Sequence, residues 1–204
     1  MRNNLLYAYI SLLLIFMQVV LVVVSWLVSA AMPYWPVRSL LSSGGIRWFF
    51  GHFVDNLMTP FLVWGILLAI AYGSFVKGGL RDRLFYPERM YDRHHSSRSK
   101  TALYIVCAEL FFFVMVILLL TVVPHAVLLS VTGSLFPSYF SDSLIPILAF
   151  IVTVCSITYG TVAGILRSLK DVYSVLTTGI HIFAPLFPIY VLAAQLYASF
   201  IYVF

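Results

Sequence analysis

From Asn3 to Val37 the chain carries no charged side chain. A stretch of that kind admits few folds. As a helix, Leu5 to Ala31 is about 40 Å long, enough to cross the roughly 30 Å hydrocarbon core of a bilayer with some tilt. A cleaved signal peptide is the competing reading, and Val28-Ser29-Ala30 offers small residues for cleavage. The apolar run is about twice the length of a signal core, so it reads as a first transmembrane helix.

Four further apolar runs come after it, and the charge left over is concentrated between them. Of 204 residues 62% are hydrophobic and 9% charged, where a soluble domain carries about 25% charged. Seven of the 12 Lys and Arg residues fall between Lys77 and Lys100. Short basic loops stay on the cytoplasmic side, because carrying Lys and Arg across hydrocarbon is costly. With that loop inside, ten basic residues lie inside and two, Arg38 and Arg47, outside.

Pro33 and Pro36 end the first run, with Tyr34 and Trp35 suited to the outer interface. Ile46, Phe49, Phe50, Phe53, Val54 and Leu57 then recur at the spacing of one helical face. Near the C-terminus, Ser168 and Asp171 are cap residues for a second amphipathic stretch, and Pro185 and Pro188 interrupt the path after it. The sequence therefore predicts an all-α integral membrane protein, a single transmembrane domain over 1–204. It has five spans, near 5–31, 57–76, 102–123, 144–166 and 186–204, and a cytoplasmic basic loop over 77–101. Two amphipathic interfacial helices are expected at Ile46–Leu57 and Val172–Phe183.

Few residues in such a chain are equipped for chemistry. Glu109, two turns into the third span, is the sharpest candidate, because an ionisable group at that depth is costly and suits a proton relay or cation site. Its structural alternative is an acid paired with Lys100 or another polar group near the inner interface. His181 and Gln195, with Thr177 and Thr178, are placed to line a cavity beside a broken helix, or simply to pair between helices. Asn56 closes the outer amphipathic stretch as a cap or a substrate contact. Gln18 reads as a hydrogen-bonder between helices. The adjacent His94-His95 pair lacks the ligand count of a metal site, and Cys107 and Cys155 read as small core residues. No catalytic motif is present, so no enzyme, metal or cofactor is expected. The net charge of +5 suits anionic lipid headgroups rather than nucleic acid.

Two blocks of sequence resemble the p-aminobenzoyl-glutamate transporter (AbgT) family. The first runs from Ser39-Leu40-Leu41-Ser42 through Arg47-Trp48, Val54 and Asn56 to Gly78-Gly79-Leu80. The second takes in Ile145-Pro146, Tyr159-Gly160, Gly164, Ser168, Lys170-Asp171-Val172, Tyr190 to Gln195 and Phe200. The resemblance implies a dimer in a bacterial-type inner membrane, N-terminus cytoplasmic, related to proteins whose re-entrant hairpins hold a small anionic aromatic substrate. Those proteins are longer, and between Leu80 and Leu144 this chain has one loop and one span where they have a hairpin and several helices. Lys77 stands where they tend to carry an acid.

The resemblance and its departures together lead to the expectation of a shortened, scaffold-like homodimer that does not transport alone. The alternative is a minimal ion-coupled transporter, alone or completed by a partner membrane subunit. Cysteine scanning in intact cells tests the topology. A Tyr139→Cys variant is expected to react with an impermeant maleimide from outside, and an Arg93→Cys variant only after permeabilisation. Labelling at position 93 from outside would reverse the assignment.

Overall fold

A computed structural model of the chain describes residues 2–86, 96–122 and 139–204. Its described residues form helices and no strand: α1 (Arg2–Ala31), α2 (Ser43–Gly51), α3 (Phe53–Leu57), α4 (Pro60–Lys77), α5 (Leu80–Phe85), α6 (Ser96–Val122), α7 (Tyr139–Val162), α8 (Leu169–Phe183) and α9 (Leu186–Val203). Among them α1, α4, α6, α7 and α9 are the five long and apolar enough to cross a membrane. Helices dominate because hydrocarbon offers no partner for a backbone N–H or C=O, and a helix satisfies nearly all of its own. Large apolar side chains cover the outside: Phe16 is 63% exposed, Phe111 71% and Phe61 69%. In water such a surface would aggregate; in lipid it is the solvated face. The central part of the basic loop, including His94 and His95, and the start of the outer loop, including Pro124 and Phe136, lie outside the described residues.

The chain folds as two compact units. One comprises residues 1–63 and 183–204, the other 64–182. In the first, α1 and α9 lie side by side, and the hydrogen bond from Gln18 Nε2 to Ser199 Oγ (3.0 Å) sets their register. The segment after α1 folds back against α9: the Arg38 amide bonds the Val203 carbonyl at 3.0 Å, and the Leu40 amide bonds Ser25 Oγ at 3.2 Å. Ser42 caps α2 by accepting from the Gly45 amide at 3.0 Å.

The single amphipathic helix expected over Ile46–Leu57 is instead two helices, broken at His52. Together they run antiparallel along α9. Trp48 stacks on Tyr202 with ring centroids 4.2 Å apart, while Asn56 and Leu57 reach Gln195 and Tyr190 further down. Phe50 and Val54, on the apolar face that the sequence marks, stay exposed.

In the second unit α6 and α7 form the main pair. Ala102, Val106, Ile151, Cys155, Tyr159 and Ala163 pack with Leu80 into a small apolar core. Tyr159 is fully buried, and its hydroxyl is hydrogen-bonded with Ser99 at 2.9 Å. Small residues set the other contacts. A Cβ on Gly73 of α4 would lie 2.6 Å from the Gly179 Cα of α8, so these two helices cross backbone to backbone. Gly164 ends the α7 segment in the left-handed region (φ 77°), and the Ile165 and Leu166 amides both bond the Gly160 carbonyl.

Helix α8 begins at Leu169, three residues before the expected start, which makes Ser168 its N-cap and Asp171 its third residue. Ser168 Oγ accepts from the Asp171 amide at 3.2 Å. Asp171 Oδ2 accepts from the Arg167 and Ser168 amides at 3.0 Å each, closing a reciprocal cap. The Arg167 amide, then Ser168, holds the Asp171 carboxyl below its usual value of 3.8. A lowered carboxyl contributes stability that is complete above the unfolded value and is lost as pH falls through the folded one. Asp171→Asn is therefore expected to lower the melting temperature in detergent at pH 7, with the gap to the parent narrowing below about pH 4. A gap that is constant from pH 7 to pH 3 would place the effect elsewhere.

Candidate functional site

Polar side chains inside the spans are few, and the fold gathers them into two clusters, one per unit. Both arise because a lone polar group in hydrocarbon costs several kcal/mol, of order 2–7, unless it finds a partner.

The cluster in the first unit is built on α9. Gln195 and Ser199 are one turn apart on one face and both are buried, Gln195 to 5% exposure. Asn56 Nδ2 donates to Gln195 Oε1 at 3.3 Å, and Gln18 bonds Ser199. One turn nearer the start of α9, Tyr190 donates its hydroxyl proton to the Leu57 carbonyl at 2.8 Å and shares a short contact with Thr59 Oγ1 (2.5 Å). Those bonds reinforce the end of α3, where the Leu57 carbonyl also accepts from the Thr59 amide at 2.8 Å. Gln195 Nε2 and Gln18 Oε1 are buried with no hydrogen-bond partner.

Beside this wiring lies an open cleft of about 760 Å³. Its floor is Ala193, Ala194 and Ala198 of α9; its walls include Trp48, Tyr197 and Ile201; Arg38 stands at one end and Asn56, Thr59 and Tyr190 at the other. That volume is typical of a small-molecule site, and so is an apolar lining with a few polar groups.

The cluster in the second unit holds Glu109. It sits halfway along α6, where its Oε1 accepts from Thr158 Oγ1 of α7 at 3.2 Å. Its second oxygen, Oε2, is buried and has no partner. The Cys155 side chain neighbours the same carboxyl. The partner is thus a threonine of the next helix, a polar group rather than Lys100, the other partner that the sequence leaves open. No group of three or more His, Cys, Asp or Glu side chains able to hold a metal occurs among the described residues.

Of the four candidates named from sequence, the fold joins two, Asn56 and Gln195, and places Glu109 on a separate pair of helices. His181 is exposed on α8. Arg38, Thr59 and Tyr190 escape the sequence reading. Arg38 carries a signal in being one of the two basic residues that the charge pattern assigns to the outer side, and Tyr190 lies in the second resembling block. The pairing of Tyr190 with Thr59 is set by how α3 ends against α9 and has no signal.

A multi-pass, all-helical membrane protein with hydrogen-bonded amides and a carboxylate inside its spans has the make-up of a membrane transporter. The comparison with known families specifies which. Residues 87–203, more than half of the chain, match the model of the AbgT putative transporter family, and the chain belongs to that family. The matched stretch contains the second of the two resembling blocks and also 87–143, where the motifs alone suggest a departure; the first block precedes it. No curated protein and no solved structure matches the chain.

The Asn56–Gln195 bond is open to measurement. Gln195→Leu and Asn56→Leu each strand a polar partner and are expected to destabilise by about 1–3 kcal/mol. The double variant should recover about 0.5–1.5 kcal/mol of the summed loss, the range for such pairs in membranes. Strict additivity in detergent unfolding would show that the two amides do not support each other.

Proposed function

We propose that this protein is an ion-coupled transporter for a small organic anion. We place it in a bacterial-type inner membrane with its N-terminus cytoplasmic, working as a homodimer or with a partner membrane subunit. Membership of a transporter family supports the general activity. One observation carries the mechanism: a mid-span carboxyl, Glu109, has one oxygen held by Thr158 and the other buried and free. Oε1 is fixed, so the side chain is oriented, while Oε2 is the place to take up a proton or meet a cation. Proton uptake removes a charge that the surrounding hydrocarbon penalises, so loading and release at Glu109 would shift the relative stability of α6–α7 arrangements. The organic anion would be handled elsewhere, with Asn56 and Gln195 as candidate contacts and His181 the remaining one.

A second reading, a non-transporting scaffold, is favoured by the same Thr158 bond, which gives Glu109 a structural use between two helices. Uptake of p-aminobenzoyl-glutamate into proteoliposomes under a proton or sodium gradient, with the dimer fraction read in parallel, separates the two. As a transporter, Glu109→Gln is expected to lose gradient-driven uptake at least tenfold while keeping its fold and dimer fraction. Unchanged uptake by that variant would remove Glu109 from coupling. No uptake by the parent chain, alone and correctly assembled, would favour the scaffold.

A further inference from the structure

The cleft along α9 presents an unusual division of chemistry. At its inner end the polar groups are already committed: Asn56 to Gln195, and Thr59 and Tyr190 to each other and to the Leu57 carbonyl. Its floor and walls are alanines, Ile201 and aromatic rings. Among the described residues lining it, the one charged side chain is Arg38. Its guanidinium lies 5.8 Å from the centre of the Tyr202 ring, and it has no carboxylate partner among the described residues. A multiply polar solute would find little to bond here. A molecule with one anionic end and a long apolar remainder would find both.

The levels agree with that chemistry. Arg38 is held beside Val203 by its amide bond to that carbonyl, about 25 Å along α9 from its start at Leu186, which puts its charge near the far edge of a hydrocarbon core roughly 30 Å thick. From Tyr202 down to Tyr190 the cleft follows α9 for about 18 Å, close to the roughly 15 Å thickness of one leaflet's hydrocarbon. Alanines at 193, 194 and 198 leave room for a chain lying flat on the helix, and Trp48, stacked on Tyr202, borders the headgroup end.

We propose that this cleft is a binding site for one anionic phospholipid of the surrounding bilayer, its phosphate on Arg38 and one acyl chain in the groove along Ala194, Ala198 and Ile201. The site goes beyond the transport reading and stands whether or not Glu109 couples an ion.

Native mass spectrometry of the full-length protein, titrated with phosphatidylglycerol or phosphatidylcholine, tests it. Phosphatidylglycerol is expected to bind at least about fivefold more tightly, the scale of one arginine near an anionic headgroup. Arg38→Gln should abolish that preference, whereas Arg47→Gln, which does not line the cleft, should keep it. Ala198→Leu should weaken both lipids by filling the groove; Ala193→Leu, at an exposed position, does the same where the first variant folds poorly. Soluble glycerol phosphate should not displace the lipid. Equal losses from the two arginine variants would mean diffuse surface attraction and overturn the site. So would displacement by glycerol phosphate, which would reduce it to a headgroup contact without a tail, or unchanged binding in both alanine variants.

Discussion

Within hydrocarbon no water is available to complete a helix end, and the arrangement of this chain depends on how each end is closed. The α7 segment closes on itself through Gly160 and the left-handed Gly164. The α3 end is closed by a side chain from another helix, the Tyr190 hydroxyl on the Leu57 carbonyl. The Val203 carbonyl of α9 accepts from the Arg38 amide, and the loop that brings Arg38 there is pinned by Ser25 on the Leu40 amide. The closures made from another segment also fix a neighbour, so satisfying those backbone groups helps decide which helices touch.

The same constraint governs side chains. Several hydroxyls in the spans bond a carbonyl one turn back in their own helix, as Thr153 does with Ala149 and Ser156 with Val152, and so ask nothing of their neighbours. Amides and carboxyls are too large for that solution and must reach across, as Gln18, Gln195 and Glu109 do. Each of the three also keeps one buried atom without a partner. Those atoms mark where the interior is least settled, and a protein that moves ions or solutes has a use for such places that a purely structural bundle does not.

Much of this is legible in the sequence because the bilayer simplifies the code. Uncharged runs long enough to span, with polar residues gathered between them, lead to an all-helical membrane protein, and five helices long and apolar enough to cross a membrane occur among the described residues. Glycines in the spans announce close contact, though not that Gly73 meets Gly179. What escapes is set by tertiary geometry. The outer amphipathic face is correctly periodic, yet the chain breaks at His52 and lies along α9, because Trp48 finds Tyr202 and Asn56 finds Gln195. Hydrophobic periodicity reports which side of a helix avoids water; it does not distinguish a bilayer surface from a neighbouring helix. Likewise Glu109 is visible as an oddity, whereas its partner Thr158 could be any polar residue of any span.

Helix α9 shows how one segment can serve two purposes without conflict. Gln195 and Ser199, four residues apart, lie about 40° from each other around the axis and hold α1 and α3. Ala194 and Ala198 sit about 100° away from them and form the floor of the cleft. The buried Gln195–Ser199 wiring and the ligand-sized space therefore occupy different faces, with Tyr190 a hydrogen-bonded side chain of α9 on the cleft side. Filling or emptying the groove need not disturb the hydrogen bonds that keep the helix in register. The converse does not hold: without the bond to Asn56, α3 keeps only the Tyr190 bond to the Leu57 carbonyl as its hydrogen-bonded tie to α9, and that side of the cleft is held less firmly. Substitutions on the alanine face should thus alter what binds, whereas those on the amide face should alter whether there is a cleft at all.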